Sequence, residues 1–189
     1  WKTKKENPKW NESDAIYHRS NKGGGYWEKI NKNIPDSWTI SYGDLKFGIK
    51  MMNFKHTGVF PEQAVNWDLF KRIISSQKQK MNILNLFAYT GGPTLACASG
   101  GAKGCHVDAS KGMVSWAREN AKLSKLDYTP IRWIVDDCEK FVTREIKRQS
   151  KYEGIIMDPP SYGRGPKGEI WKIEDNIFDF IILCESALS

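Results

Sequence analysis

Several common chemistries are missing from this chain, and each gap narrows what it can be. The four cysteines, Cys97, Cys105, Cys138 and Cys184, form no C-x-x-C pair. A disulfide framework or a thiolate metal site is therefore not expected; buried free thiols in a reducing cytoplasm fit better. His18, His56 and His106 stand apart with no zinc spacing, so no metal is expected. No apolar run approaches the roughly 18 residues of a membrane-spanning helix. The opening Trp1-Lys2-Thr3-Lys4-Lys5 is polar, lacks an initiator Met and is no secretory leader, as expected inside a longer protein. There is no Gly-Lys-Ser/Thr phosphate loop and no G-x-G-x-x-G. The first gap sets aside a P-loop, and the second weakens a nicotinamide-dependent reading.

What is present is basic and ordered into alternating elements. The 189 residues carry 29 Lys and Arg against 22 Asp and Glu, a net charge of +7, which favours a polyanionic partner. Residues 1–60 read as a β-rich segment in which Lys2, Lys4, Lys5, Lys9, Arg19, Lys22, Lys29, Lys32, Lys46, Lys50 and Lys55 are interleaved with Trp1, Trp10, Tyr17, Tyr26, Trp27 and Trp38. Basic plus aromatic suits a nucleic-acid surface, and equally a solvated face over packed rings. Gly23-Gly24-Gly25 marks a turn or loop. Gly43-Asp44 between 38–42 and 45–50 is hairpin chemistry. A helix is expected over 61–77, with Val65, Leu69 and Ile73 on one face.

From residue 81 strands and helices alternate. Strands are expected at 81–87, 103–108, 131–135 and 152–157, and helices at 93–99, 110–123, 137–149 and 171–188. Ser110 should cap the second of these helices, with Met113, Trp116 or Ala117, and Leu123 on its inner face. Repeating βα units with short links imply an α/β fold, a Rossmann-like doubly wound parallel sheet spanning 61–189. Four strands make only an open half-sheet, so further C-terminal strands are expected beyond Ser189.

The strand tips carry the chemistry. The glycines of Asn85-Leu86-Phe87-Ala88-Tyr89-Thr90-Gly91-Gly92-Pro93 let backbone approach a ligand ahead of a helix start. Asp108 ends the second strand, where a carboxylate can bind both ribose hydroxyls. Asp136-Asp137-Cys138 ends the third and could read an adenine edge. Asp158-Pro159-Pro160-Ser161-Tyr162 ends the fourth; its prolines cannot continue a central strand, so Asp158 and the Pro159 carbonyl are held at the sheet rim. A rim that takes an adenosine without a phosphate grip fits S-adenosylmethionine.

Residues 81–162 resemble the class I S-adenosylmethionine-dependent methyltransferases. The motifs are closest to the ribosomal RNA large-subunit methyltransferase I-like family, through Asn85–Gly92, Val107-Asp108-Ala109-Ser110, Asp136-Asp137 and Met157-Asp158-Pro159-Pro160. Lys55-His56-Thr57-Gly58-Val59-Phe60-Pro61-Glu62-Gln63 is similar to a further segment of that family, and 163–171 to a bacterial branch of it. The resemblance implies that Thr57, Phe60 and Gln63 line the cofactor's entrance and that Tyr89, Thr90 and Gly91 face its methionine part. Asp108 and Ser110 would address the ribose, Asp137 and Cys138 the adenine. Asp158, Pro159 and Pro160 would hold the acceptor. On the residues themselves, Tyr162 suits stacking on a flipped or unpaired base, and Arg164 and Lys167 suit either a phosphate contact or a solvated glycine-rich loop. Gly163, Gly165 and Gly168 suggest a loop that orders on substrate.

Two departures stand out. Ser161 occupies a position that is aromatic in many amino-directed enzymes. Carbon-5 pyrimidine chemistry needs a nucleophilic cysteine, and Cys138 is poorly placed for it. The implied reaction is methyl transfer from S-adenosylmethionine to a ribosomal RNA base. A small-molecule or protein acceptor, or a catalytically silent RNA-binding module, are the alternatives. Neither the target atom nor the oligomeric state is written in these residues.

Overall fold

Two antiparallel hairpins open the chain. The structure is a computed structural model that describes residues 7–21, 24–52, 55–165 and 168–189. Trp1, Lys2, Lys4, Lys5, Lys22, Gly23 and Lys167 lie outside the described residues. After a short 3-10 turn at Pro8–Glu12, β1 (Ala15–Arg19) pairs with β2 (Gly25–Lys29), and β3 (Ser37–Tyr42) with β4 (Leu45–Lys50). The second hairpin is the one expected from Gly43-Asp44. Tyr42 pairs with Leu45, and Gly43 takes φ +56° at the first turn position, a conformation glycine adopts without steric cost. Leu45, Phe47 and Ile49 alternate inward from β4 and are buried.

A 3-10 turn at Pro61–Gln63 leads into α1 (Ala64–Ser75). The four-apart stripe does not form its inner face. Val65, Leu69 and Ile73 are 71%, 39% and 44% exposed, and the buried residues are Trp67 and Ile74. The indole decides the helix rotation. Trp67 packs 5.1 Å from the Phe47 ring and edge-on to Tyr42 at 5.9 Å, and it lies so close over Gly92 that a β-carbon there would come within 2.8 Å of the ring. One aromatic side chain buries more area than any single aliphatic in that stripe.

The remaining elements are β5 (Asn82–Leu86), α2 (Gly92–Ser99), β6 (Lys103–Asp108), α3 (Lys111–Leu123), β7 (Ile131–Val135), α4 (Cys138–Lys147), β8 (Gly154–Met157), β9 (Tyr162–Arg164), β10 (Ile170–Lys172) and α5 (Ile173–Glu185). The central sheet is wholly parallel, in the order β7-β6-β5-β8. The chain builds outward from β5 through β6 to β7, then returns to place β8 on the other side of β5. That reversal opens a crevice at the carboxyl ends of β5 and β8, where open α/β sheets bind ligands.

Each face of the sheet has its own core. Leu84, Leu86, Cys105 and Val107 pack with Phe141 and Val142 of α4 and with Phe180 and Cys184 of α5. On the opposite face the β3–β4 hairpin shares a cluster with Trp67, Leu95, Ala96 and Ala121 of α1, α2 and α3. The strand period of two sorts the residues: Ile83 joins a third cluster with Ile74 and Cys97, while its neighbour Leu84 faces the other way.

Three details depart from the sequence reading. On α3 the inner residues are Val114, Trp116, Ala117, Asn120 and Ala121; Met113 is only partly covered and Leu123 is exposed. Tyr152 precedes β8, in an isolated bridge to Leu188. Trp171 sits in β10, not in the last helix, because β10 pairs antiparallel with β9, Trp171 opposite Gly163.

All four cysteines are free and buried. Burial pushes the thiols of Cys97 and Cys184 up to about 12 and that of Cys105 to about 11; Cys138 is raised as well. They are poor nucleophiles. Among the described residues no helix is long and apolar enough to cross a membrane.

Candidate cofactor and acceptor site

The link from β5 to α2 has an unusual backbone. Phe87 and Tyr89 take φ +53° and +49°, and Gly91 takes +91°. Left-handed conformations cost L-residues energy and persist only where surroundings enforce them. Three contacts do so here. Phe87 N–H donates to the Cys138 sulfur at 3.3 Å, Tyr89 N–H to Asp108 Oδ2 at 2.9 Å, and Ala88 N–H to the Val107 carbonyl at 3.1 Å. Gly91 caps α2 without a side-chain acceptor, so the first-turn N–H groups have no side-chain cap.

Asp108 sits at the tip of β6 and accepts a second backbone bond, from Ser110 N–H to Oδ1 at 2.8 Å. Burial raises its carboxyl pKa, against the pull of these two hydrogen bonds. The carboxylate therefore fixes the Tyr89 turn while keeping spare lone pairs. Ser110 caps α3 through its hydroxyl, which accepts from Met113 N–H at 3.4 Å. Its side chain is thus committed to the helix, and the residue is exposed.

At the tip of β7, Asp136 pairs with Arg144, about two turns on along α4. Asp137 caps α4, accepting from Lys140 N–H at 3.0 Å. Cys138 turns its side chain into the core beneath Phe87, 4% exposed, so only its backbone lies at the rim.

The segment before α1 closes the site from the other side. Thr90 Oγ1 donates to the Gly58 carbonyl at 2.5 Å. Phe60 packs against Tyr89 at 5.3 Å and His56 against Phe60 at 5.0 Å. Gln63 Nε2 reaches Asp158 Oδ2 at 3.5 Å, and Asn66 Nδ2 donates to Gln63 Oε1 at 2.7 Å. The entrance segment and the acceptor motif thus meet. Thr57 is half-buried beside Gly58, and its carbonyl accepts from Lys50 N–H at 3.1 Å. The Tyr89 hydroxyl is buried with no hydrogen-bond partner among the described residues.

The sequence reading missed what holds this together. Asn120, fully buried on α3, donates to the Thr90 carbonyl at 2.9 Å and accepts from Gly48 N–H at 2.9 Å. Trp116 Nε1 donates to the Gly48 carbonyl at 3.0 Å. Its ring fills the space beside Gly58, where a β-carbon would come within 2.3 Å of it. The available signal was an amide among the apolar inner positions of α3. Gly58 also sits at φ +105°. Gly58→Ala should therefore cost about 3 kcal/mol and lower Tm by roughly 10 °C, as read by thermal denaturation; an unchanged Tm would contradict this packing.

Asp158, Pro159 and Pro160 follow β8 at the neighbouring tip, with Asp158 exposed. Tyr162 is on β9, half-exposed, its hydroxyl accepting from Arg164 Nε at 3.2 Å. Lys140 on α4 pairs with Glu169, tying the hairpin across to the β7 tip. Gly168 has φ +88° and open space around it.

A strained backbone loop, a carboxylate and a helix start without a side-chain cap on adjoining parallel strands, beside a Pro-Pro turn, make one rim. Residues 8–172 match the family described as S-adenosylmethionine-dependent methyltransferase. The chain belongs to that family. A ribosomal RNA large subunit methyltransferase K/L from Shewanella frigidimarina is 30% identical over 155 residues, covering 81% of this chain and 21% of that protein. The crystal structure of an S-adenosylmethionine-dependent methyltransferase from Agrobacterium tumefaciens is 39% identical, with TM-score 0.90, over 95% of this chain and 57% of that one. A Streptococcus mutans structure at 20% identity and TM-score 0.78 shares the fold. This methyltransferase chain thus spans about a fifth of the length of the curated relative it matches.

Proposed function

We propose that this chain forms the donor-binding and acceptor-gripping part of an enzyme that methylates a base of ribosomal RNA in the cytoplasm, close to the large-subunit methyltransferase I-like branch. The observation that carries the reading is the rim itself: Tyr89–Gly91, Asp108, Asp137 and Asp158 at the carboxyl ends of β5, β6, β7 and β8, in one sheet.

The residues fit S-adenosylmethionine. Asp108 retains acceptor capacity for the ribose hydroxyls. Asp137 and the Cys138 backbone offer an acceptor and a donor for an adenine edge. The uncapped start of α2 suits a carboxylate, and the orphaned Tyr89 hydroxyl gains a polar neighbour. Thr57, Phe60 and Gln63 cover the entrance. When bound, the donor supplies an electrophilic methyl group on a sulfonium.

The protein's share is position and exclusion of water. Asp158 and the Pro159 carbonyl orient the acceptor, and Asp158 takes the proton lost as the new bond forms. Pro160 keeps that turn out of the sheet. Tyr162, half-exposed beside it, stacks on an unpaired or flipped base.

RNA is favoured by charge. Residues 1–60 hold eleven basic and six acidic residues, so five of the seven net positive charges lie there. The aromatics divide. Tyr17 packs edge-on against Trp27 at 5.3 Å, while Tyr26 is 64% exposed and stacked on His18. A groove of about 580 Å³ beside Tyr26 is lined also by Lys50 and by Lys29, the latter paired with Asp36 at 2.9 Å.

The reading is tested by incubating the full-length protein with labelled S-adenosylmethionine and undermethylated ribosomal RNA, then identifying the labelled nucleoside. Label in one base supports it. Label only in a metabolite or protein fraction would select another acceptor. Salt-sensitive RNA binding without transfer would mark a silent module.

Asp108→Ala tests the donor half. Loss of a charged hydrogen bond should weaken S-adenosylhomocysteine binding roughly ten- to a hundredfold, measured by calorimetry, with the fold retained by circular dichroism. Unchanged affinity would remove Asp108 from the ribose.

A further inference from the structure

Trp171 touches both halves of the site. Its Nε1 donates to the Pro160 carbonyl at 2.8 Å. Its ring lies 4.9 Å from that of Phe87, the first left-handed residue of the donor loop. Phe180, 3% exposed on α5, packs edge-on against Trp171 at 5.4 Å and against Phe87 at 5.7 Å. The backbone adds to the grip: Trp171 pairs with Gly163, and Ile173 N–H donates to the Ser161 carbonyl at 3.0 Å. A β-carbon on Gly163 would come within 3.4 Å of the Pro160 ring, so β9 runs close against the turn.

We propose that Trp171 is a positioning residue for methyl transfer. It engages the Pro160 carbonyl, so that Asp158 and the Pro159 carbonyl are the groups left to face the acceptor. Through Phe87 it couples this turn to the donor loop. The inference rests on the acceptor role given above to Asp158 and Pro159. The physical reason is the steepness of in-line transfer with geometry, where a displacement of about 1 Å can cost about a hundredfold in rate. A turn built of two prolines has few backbone donors of its own with which to hold its place, and an indole N–H from the following hairpin supplies one.

The test is Trp171→Phe in the full-length protein. Phenylalanine keeps a ring against Phe87 and Phe180 but removes the N–H. We expect kcat on undermethylated ribosomal RNA to fall roughly tenfold, as for one lost hydrogen bond, with KM for S-adenosylmethionine within about twofold of wild type. With S-adenosylhomocysteine bound, the amides of 161–164 should exchange faster than in wild type, while those of β5 and β6 stay protected. Trp171→Ala removes the ring as well, and should weaken S-adenosylhomocysteine binding too.

A purely structural role would lower Tm and affinity together in both variants, without separating kcat from KM. Wild-type kcat or wild-type exchange in Trp171→Phe overturns the proposal. Should the wild-type protein methylate no RNA, the functional reading falls, while the exchange measurement still decides the role of Trp171. Unaltered protection of 161–164 in Trp171→Phe would then reject it.

Discussion

Asp158→Ala should suppress methyl transfer by a hundredfold or more, on the order of a lost catalytic acid–base group, while S-adenosylhomocysteine binds within about twofold of wild type. The residue is exposed at the β8 tip, and the side-chain hydrogen bond found for it is the long one from Gln63, at 3.5 Å. Its removal leaves no buried group unpaired, so stability should change little. The donor's main proposed contacts lie at the tips of β5, β6 and β7, and Asp158 meets the entrance segment only through the long bond from Gln63. Asp158→Asn separates orientation from proton acceptance, since it keeps an oxygen acceptor and loses the basic carboxylate. If Asn restores most of the rate, orientation dominates; if Asn is as inactive as Ala, proton transfer does. Wild-type turnover in Asp158→Ala would remove this carboxylate from the acceptor site.

The second large effect concerns stability. Glu145 on α4 has a side chain 0% exposed, yet its surroundings favour the ionised form. Arg132 Nη1 reaches it at 2.7 Å, Arg148 Nη1 at 3.0 Å, and the buried Tyr152 hydroxyl donates at 2.5 Å. Burial alone would raise its pKa, but these donors outweigh burial and hold the carboxyl at about 2, against an ordinary 4.5. Arg132 is raised in turn, chiefly by its hydrogen bonds to Glu145. Glu145→Ala removes the acceptor shared by three donors. The two arginines are half-exposed and can turn to water, while the buried Tyr152 hydroxyl is left without this acceptor. The change should cost about 1–3 kcal/mol, measured by urea denaturation. Glu145→Gln keeps the shape and loses the charge, and should fall between.

The same pair sets an acid limit. A carboxyl with a depressed native pKa stabilises the fold above its unfolded value. That contribution is lost as pH falls from about 4.5 towards 2. The wild-type protein should therefore lose stability across this window more steeply than Glu145→Ala. Parallel pH profiles would show that Glu145 is not ionised in the fold. Arg132 and Tyr152 lie near the start of β7 and just before β8, so this network ties α4 to the sheet at the end away from the rim.

The strand and helix alternation was legible because hydrophobic periodicity and capping residues speak locally. Ser110 and Asp137 announce α3 and α4, and Gly43-Asp44 announces a two-residue hairpin loop. The acidic strand tips were legible for the same reason: each ends an apolar run. What could not be read depends on contacts far apart in sequence. Nothing local says that Trp67 outweighs Val65, Leu69 and Ile73, because the decision is made by Phe47 and Gly92. The 162–172 hairpin was masked by a glycine-rich stretch that reads as a loop and by Trp171, which suits a helix start equally well. The left-handed residues that close α3 and α4 were also silent. Lys125 and Gln149 take φ +57° without being glycine, held by hydrogen bonds from Leu126 N–H to the Ala121 carbonyl and from Ser150 N–H to the Glu145 carbonyl. At the site, the roles of Asn120, Trp116 and Cys138 as supports emerged only when β4, α3 and α4 were brought against the donor loop.

The most direct test of the central claim is a crystal structure of the full-length protein with S-adenosylhomocysteine. The ribose hydroxyls should lie on the Asp108 carboxylate, the adenine against Asp137 and the Cys138 backbone, and the homocysteine along Tyr89–Gly91 with its sulfur turned towards Asp158. A ligand seated away from the β5 and β6 tips, or tips left empty at saturating ligand, would contradict it.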